Sequence, residues 1–346
     1  MKIFISLILV LFILPVTVFA SELTPPPVPE IGEKYIQKDS ETFGEGLLYL
    51  LKTALEDLSP SFTEASRTCL SVVCIVLLSS ILNCLSVSSN KYVQLASTVM
   101  IGVLLLTPSN SLIGLATGTV TELSNYGKLL LPVMTSALAA QGGVSSSAAI
   151  YTGSVVFCSF LTVLLSGLIV PLIYVYLCVS VADACLGDDT LKSIKRFTKW
   201  LITWSMKISL YIFSGYLGIT KIITGSVDAA ALKATKLTLS GVIPVVGKMI
   251  SDSSDAIILS TSVIKNSIGT LGALSILSVF IGPFIKIGVQ YLTLKLTGAI
   301  CGAFGVKKLT SLVDDFSKAN ALLLGVIGTM ALMLLISTVC FMKGIT

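Results

Sequence analysis

The chain has 346 residues, 54% of them hydrophobic and only 12% charged, with a net charge of +5 and a mean hydropathy of +0.96. A soluble domain carries about twice that share of charge, so the length is better counted in membrane spans of about 20 apolar residues than in soluble domains. Histidine is absent, which removes the usual general base and the commonest metal ligand. There is no Walker phosphate loop, no Cys-x-x-Cys pair, no Gly-x-Ser-x-Gly elbow and no basic tract for nucleic acid. The composition disfavours an ATPase, a histidine-dependent hydrolase and a nucleic-acid binder, and it calls for no cofactor.

In chain order, Lys2, the apolar run Ile3 to Val18 and the small-x-small pattern Val18-Phe19-Ala20 read as a secretory signal peptide over residues 1–20. An uncleaved anchor helix is the alternative, and either one sends Ser21 to the non-cytoplasmic side. Residues 21–41 form a linker in which Pro25, Pro26, Pro27 and Pro29 favour extended polyproline geometry. Over 42–58, Phe43, Leu47, Leu50 or Leu51, Leu55 and Leu58 recur at helical spacing, with Glu45, Lys52, Glu56 and Asp57 largely elsewhere. That amphipathic helix lies on the outer membrane surface or packs on the protein's own extramembrane face. Residues 21–66 are thus an exported region, and 67–346 a multi-pass membrane domain.

Charge-free runs then predict the spans: 69–86, 92–107 stopped by Pro108, 148–169 after a half-polar segment at 129–147, 171–186 led by Pro171, 200–220, one within 256–281, 283–305 led by Pro283, and 319–342. The expectation is an all-α polytopic integral membrane protein with about eight transmembrane helices, within a range of six to nine. With Ser21 outside, eight spans put the loops near 91, 221–252 and 307–318 in the cytoplasm. The basic stretch Lys192, Lys195, Arg196, Lys199 then falls outside, against the positive-inside bias. The eight cysteines all lie in or beside apolar segments. They read as buried packing residues, not as a disulfide framework.

Leu131-Pro132-Val133 is echoed by Ile243-Pro244-Val245, and Ser166…Pro171-Leu172-Ile173 by Ser278…Pro283-Phe284-Ile285. Leu191…Ser193…Phe197…Lys199 resembles Leu309…Ser311…Phe316…Lys318 at a slightly longer offset. Repeat units of about 126–220 and 238–342, with three spans each, would be inverted relative to one another, in a permease-like core. Coincidence within repetitive hydrophobic sequence is the other reading.

Asp183, Lys207, Lys265, Asn266, Lys286, Gln290 and Lys295 fall inside predicted spans. Lys286 and Gln290 are one turn apart and share a face, joined by Asn266 if the helices adjoin. Asp183 and Lys295 occupy matching repeat positions and are expected to pair. Such residues line a polar pathway, or the lysines snorkel to the interfaces.

Thr220-Lys-Ile-Ile-Thr-Gly-Ser-Val-Asp-Ala-Ala-Ala-Leu-Lys-Ala-Thr-Lys-Leu237, then Ile243-Pro-Val-Val-Gly-Lys-Met-Ile-Ser-Asp-Ser-Ser-Asp255 and Lys265-Asn-Ser-Ile-Gly-Thr-Leu-Gly272, resemble the signature region of the stage III sporulation protein AE family of endospore-forming Firmicutes. Leu131-Pro132 followed by Gly142-Gly143 resembles that family's first-half counterpart. The resemblance and the repeat turns together mark Pro132, Gly142, Gly143, Gly225, Asp228, Pro244, Gly247, Asp252 and Pro283. Lys248 stands where the family has a second glycine. The resemblance implies a mother-cell membrane protein around the forespore, part of a channel or feeding apparatus needed for late forespore sigma-factor activity. It also implies partners: the other stage III sporulation A proteins, including an ATPase and ring-forming membrane proteins, and stage II sporulation protein Q, with the lipid bilayer as solvent. It implies no catalytic residues. A stand-alone secondary transporter of a small solute is the rival reading.

Overall fold

The computed structural model describes residues 25–36, 43–85, 90–186, 191–242 and 246–343; side chains at 83, 85, 90, 91, 232 and 235–261 lie outside that set. The signal-peptide reading at 1–20 and the connection holding Pro244 fall outside the described residues. The described elements are all helical. A short α1 (Glu30–Glu33) precedes six long helices: α2 (Phe43–Leu85), α3 (Asn90–Ala140), α4 (Val144–Leu186), α5 (Lys192–Val242), α6 (Val246–Ala303) and α7 (Lys307–Met342). Each of the six is long and apolar enough to cross a membrane.

Among the described residues six such helices are found, at the low end of the expected six to nine, because predicted spans fuse end to end. Pro108 does not stop its helix; α3 carries Pro108 and Pro132 inside it. The runs 148–169 and 171–186 join in α4 through a π-helical turn, Leu165–Ile169. There the Val170 N–H bonds the Leu165 carbonyl, and the wider turn accommodates the proline that follows. Pro283 lies inside α6. The amphipathic segment 43–58 continues through Pro60 into the first span as α2, without a break near 66. Proline is tolerated in membrane helices where neighbours and local adjustments satisfy the freed carbonyl.

The fusions change the topology. Ser80 Oγ near the end of α2 bonds the Phe304 carbonyl at 3.3 Å, and Gly102 of α3 packs on Val181 near the end of α4, so the end of α2, the first part of α3, the end of α4 and the turn at 304–306 share one end of the bundle. Gly269 lies against Met342 and Met134 at the other end. The 192–199 and 307–308 basic stretches now share the former end, opposite the 221–242 part of α5. The unit 126–220 takes in the last turns of α3, α4 and most of α5, and the unit 238–342 takes in α6 and α7.

Helix α7 is the central post. Leu312, Phe316, Leu323, Ile327, Met330 and Leu334 along it are almost fully buried. Lipid is as apolar as leucine, so close packing and interhelical hydrogen bonds hold such a bundle. Glycines bring the helices together: Gly127 faces Leu334, Gly272 faces Leu130, and a Cβ on Gly153 would lie 1.9 Å from the Tyr216 ring. Hydroxyl pairs add ties, with Ser154 to Ser337 at 3.1 Å and Thr162 to Ser124 at 2.9 Å.

The described part of the linker is docked. Residues 25–29 run without regular structure into α1, where a Cβ on Gly32 would lie 2.4 Å from Ser278 Oγ of α6. Tyr35 sits over Gly282 and donates its hydroxyl to the Asp57 carboxylate of α2, which Lys34 also engages. All eight cysteines are free, but Cys74, Cys84 and Cys178 are exposed on helix surfaces instead of buried.

Candidate functional site

Burying an ion costs several kcal/mol unless partners surround it. Where the end of α4 meets the first turns of α5 and α7, six ions solve this together. Lys195 Nζ of α5 bridges Asp183 Oδ2 of α4 at 2.6 Å and Asp315 Oδ2 of α7 at 2.6 Å. The other oxygen of Asp315 accepts from Tyr176 Oη at 3.2 Å and Lys318 Nζ at 3.0 Å. Lys318 also meets Asp314 at 2.8 Å, and Asp314 meets Lys295 of α6. The result is an alternating chain, Asp183–Lys195–Asp315–Lys318–Asp314–Lys295, with no net charge. The side chains of Asp183, Lys195 and Asp315 are at most 10% exposed, whereas Lys295 is 44% exposed. The chain links the α4–α5 hairpin to the α6–α7 hairpin.

Asp183 and Lys295 both belong to this chain, but they do not pair with each other. Each pairs across its own hairpin, with the charges exchanged: Asp183 with Lys195, Lys295 with Asp314. Lys195, Asp315, Lys318, Asp314 and Tyr176 were not singled out from sequence. The signal was available: 195 and 314 stand at the same offset as the matched pairs Phe197/Phe316 and Lys199/Lys318.

The other polar candidates scatter. Lys286 and Gln290 do share a face, with Lys286 3.4 Å from Glu64 and both lining a small cavity beside Pro108. Asn266 is exposed, far along α6 from them. Lys207 is exposed and Lys265 buried. The seven residues do not line one continuous pathway.

The resemblance-marked residues fare differently. The chain reverses at Gly142, φ +89°, where the left-handed backbone favours glycine. Gly143 is the N-cap of α4 and offers no side chain. Asp228 of α5 supplies one from outside: its carboxylate accepts the Ser145 and Ser146 N–H groups at 3.0 and 2.8 Å, and Ser146 donates to Thr224 at 3.0 Å. A carboxylate there satisfies orphan donors and opposes the positive helix end. The marked turn and the marked aspartate are thus two halves of one contact. Nothing lies near Gly225. Gly247 and Asp252 fall where α6 side chains lie outside the described set.

Six long apolar helices with ion-paired, glycine-packed interiors define an all-α multi-pass membrane protein. The family model described as stage III sporulation protein AE matches residues 34–344, and the chain belongs to that family. Stage III sporulation protein AE of Bacillus subtilis (strain 168) is 22% identical over 247 residues, covering 70% of this chain and 62% of that relative, so the match spans less than two thirds of the relative's length. No solved structure matches. Membership carries a sporulation role. Among the described residues no group of three metal-ligating side chains is assembled.

Proposed function

We propose that the chain is a membrane component of the stage III sporulation channel or feeding complex between mother cell and forespore, in the mother-cell membrane around the forespore, required for late forespore sigma-factor activation. Its partners are the other stage III sporulation A proteins, among them the ATPase and the ring-forming membrane proteins, and stage II sporulation protein Q. The family match over residues 34–344 carries the reading. The interior is consistent with it: the charges of the Asp183–Lys295 chain cancel one another and α7 fills the centre, as suits a seat for other proteins. The rival, a stand-alone transporter of a small solute, needs its polar residues on one path, and Lys207 and Asn266 lie on the outer surface. The test is affinity purification of the full chain from cross-linked sporulating cells. Copurification of the ATPase and ring proteins, with arrest of late forespore gene expression on deletion, is expected. A chain recovered without other sporulation proteins, and dispensable for that expression, overturns the reading.

A further inference from the structure

Beside the buried head of the charge chain lies a cavity of about 160 Å³, between the end of α4 and the first turns of α5 and α7. Lys192, Lys307, Lys308, Ser180, Ser311 and Asp183 are in its wall. Among the described residues no salt bridge engages Lys307 or Lys308. The first turns of α5 and α7 present two positive helix ends to the same space. Its lysines and helix ends make the cavity a receptor for negative charge.

One group does not fit a plain anion. Asp183 is 8% exposed, and while its Oδ2 holds Lys195, its Oδ1 is buried with no hydrogen-bond partner. A bare anion would answer the lysines and repel Asp183. A bare cation would do the reverse. Both are answered by a phosphate ester that carries a hydroxyl or ammonium donor a few ångströms from its phosphorus. The cavity has room for such a group, since a water occupies roughly 30 Å³.

We propose that this cavity binds the phosphate of a donor-bearing phosphate ester, with the lysines on the phosphate and the hydroxyl or ammonium on Asp183. The surroundings favour a phospholipid headgroup as the source. Phe197, Trp200 and Trp204 form an exposed ladder on α5 just beyond Lys195, with ring centroids 6.0 and 5.4 Å apart. Exposed tryptophans mark the headgroup level of a bilayer, and basic pockets between membrane helices hold phosphate headgroups there. The proposal does not depend on the sporulation reading.

Trp200 and Trp204 are the chain's two tryptophans, so their quenching by chain-brominated lipids reports binding to the full-length protein in detergent. Phosphatidylglycerol and phosphatidylethanolamine, which carry donors, should bind about tenfold more tightly than phosphatidylcholine, which has none, as a charge-assisted hydrogen bond implies. Lys307→Gln with Lys308→Gln should weaken both by about tenfold or more. Arg196→Gln with Lys199→Gln removes as much charge from the same end, outside the cavity wall, and should leave the ranking and affinities unchanged. Equal binding of all three lipids overturns the proposal. So does an unaffected Lys307/Lys308 variant, or an equal loss in the control. Glycerol 3-phosphate competing as strongly as the whole lipid would keep the site and overturn the lipid as its source.

Discussion

Lys195 and Asp228 show how much rests on single side chains. Lys195→Ala would leave Asp183 and Asp315 buried and facing each other's charge, a loss of about 3–5 kcal/mol. Lys295→Ala, at the exposed end of the same chain, should cost about 1 kcal/mol or less. Thermal unfolding of the purified variants should separate the two clearly, and equal losses would refute the alternating chain. Asp228→Ala strips the cap from α4 and should cost about 1 kcal/mol, with Asp228→Asn recovering part of it. Asp228 was legible as a marked position, but its role was not. Its partners are backbone N–H groups more than eighty residues away in sequence, a contact that no local pattern encodes. Lys195 was hidden differently: a basic amphipathic stretch looks like a solvated face until a facing aspartate is known.

For elements, the apolar runs were readable from composition and their joins were not. Pro108, Pro171 and Pro283 looked like boundaries because each removes a helix hydrogen bond. Whether a helix stops there depends on the neighbours and on turns such as Leu165–Ile169, which the run itself does not record. The docking of residues 25–36 on α6 was likewise invisible, since it relies on Gly32 and Gly282 leaving room. Gly32→Val should release the segment, seen as faster proteolysis between residues 25 and 42 with the bundle intact. The same dock has a pH signature. Burial first, then the hydrogen bond and charge of Asp57, raise the pKa of Tyr35 above the ordinary tyrosine value. A raised folded-state pKa means that the stabilisation is fully present below the unfolded value of about 10 and is lost as pH rises beyond it. Proteolysis of the segment should therefore be flat through neutral pH and accelerate only in strong alkali. Release near pH 7 would exclude Tyr35 as the latch.

At the scale of the whole molecule, the class was plain from hydropathy, while sidedness turned on the count. Lys91, Lys192, Lys195, Arg196, Lys199, Lys307 and Lys308 lie near the connections at one end, against Lys233, Lys236 and Lys248 beside the 243–245 connection at the other. With Ser21 exported, as the signal-peptide pattern implies, six spans would put the basic end in the cytoplasm. In a cysteine-free background, a cysteine at position 236 should react with an impermeant thiol reagent applied from outside, and one at 308 only after permeabilisation. Labelling of both from the same side would restore the eight-span arrangement.

Gly269 lies level with the last turn of α7, yet α6 begins at Val246 and α5 runs on to Val242, past the Asp228 cap. At 1.5 Å per residue, α5 runs roughly 20 Å beyond the Asp228 cap and α6 roughly 35 Å before Gly269. The segments on which the family resemblance was read occupy that stretch. Its length works as a ruler: adding or removing turns there would shift whatever it meets by about 5 Å per turn and leave the membrane-embedded body unchanged.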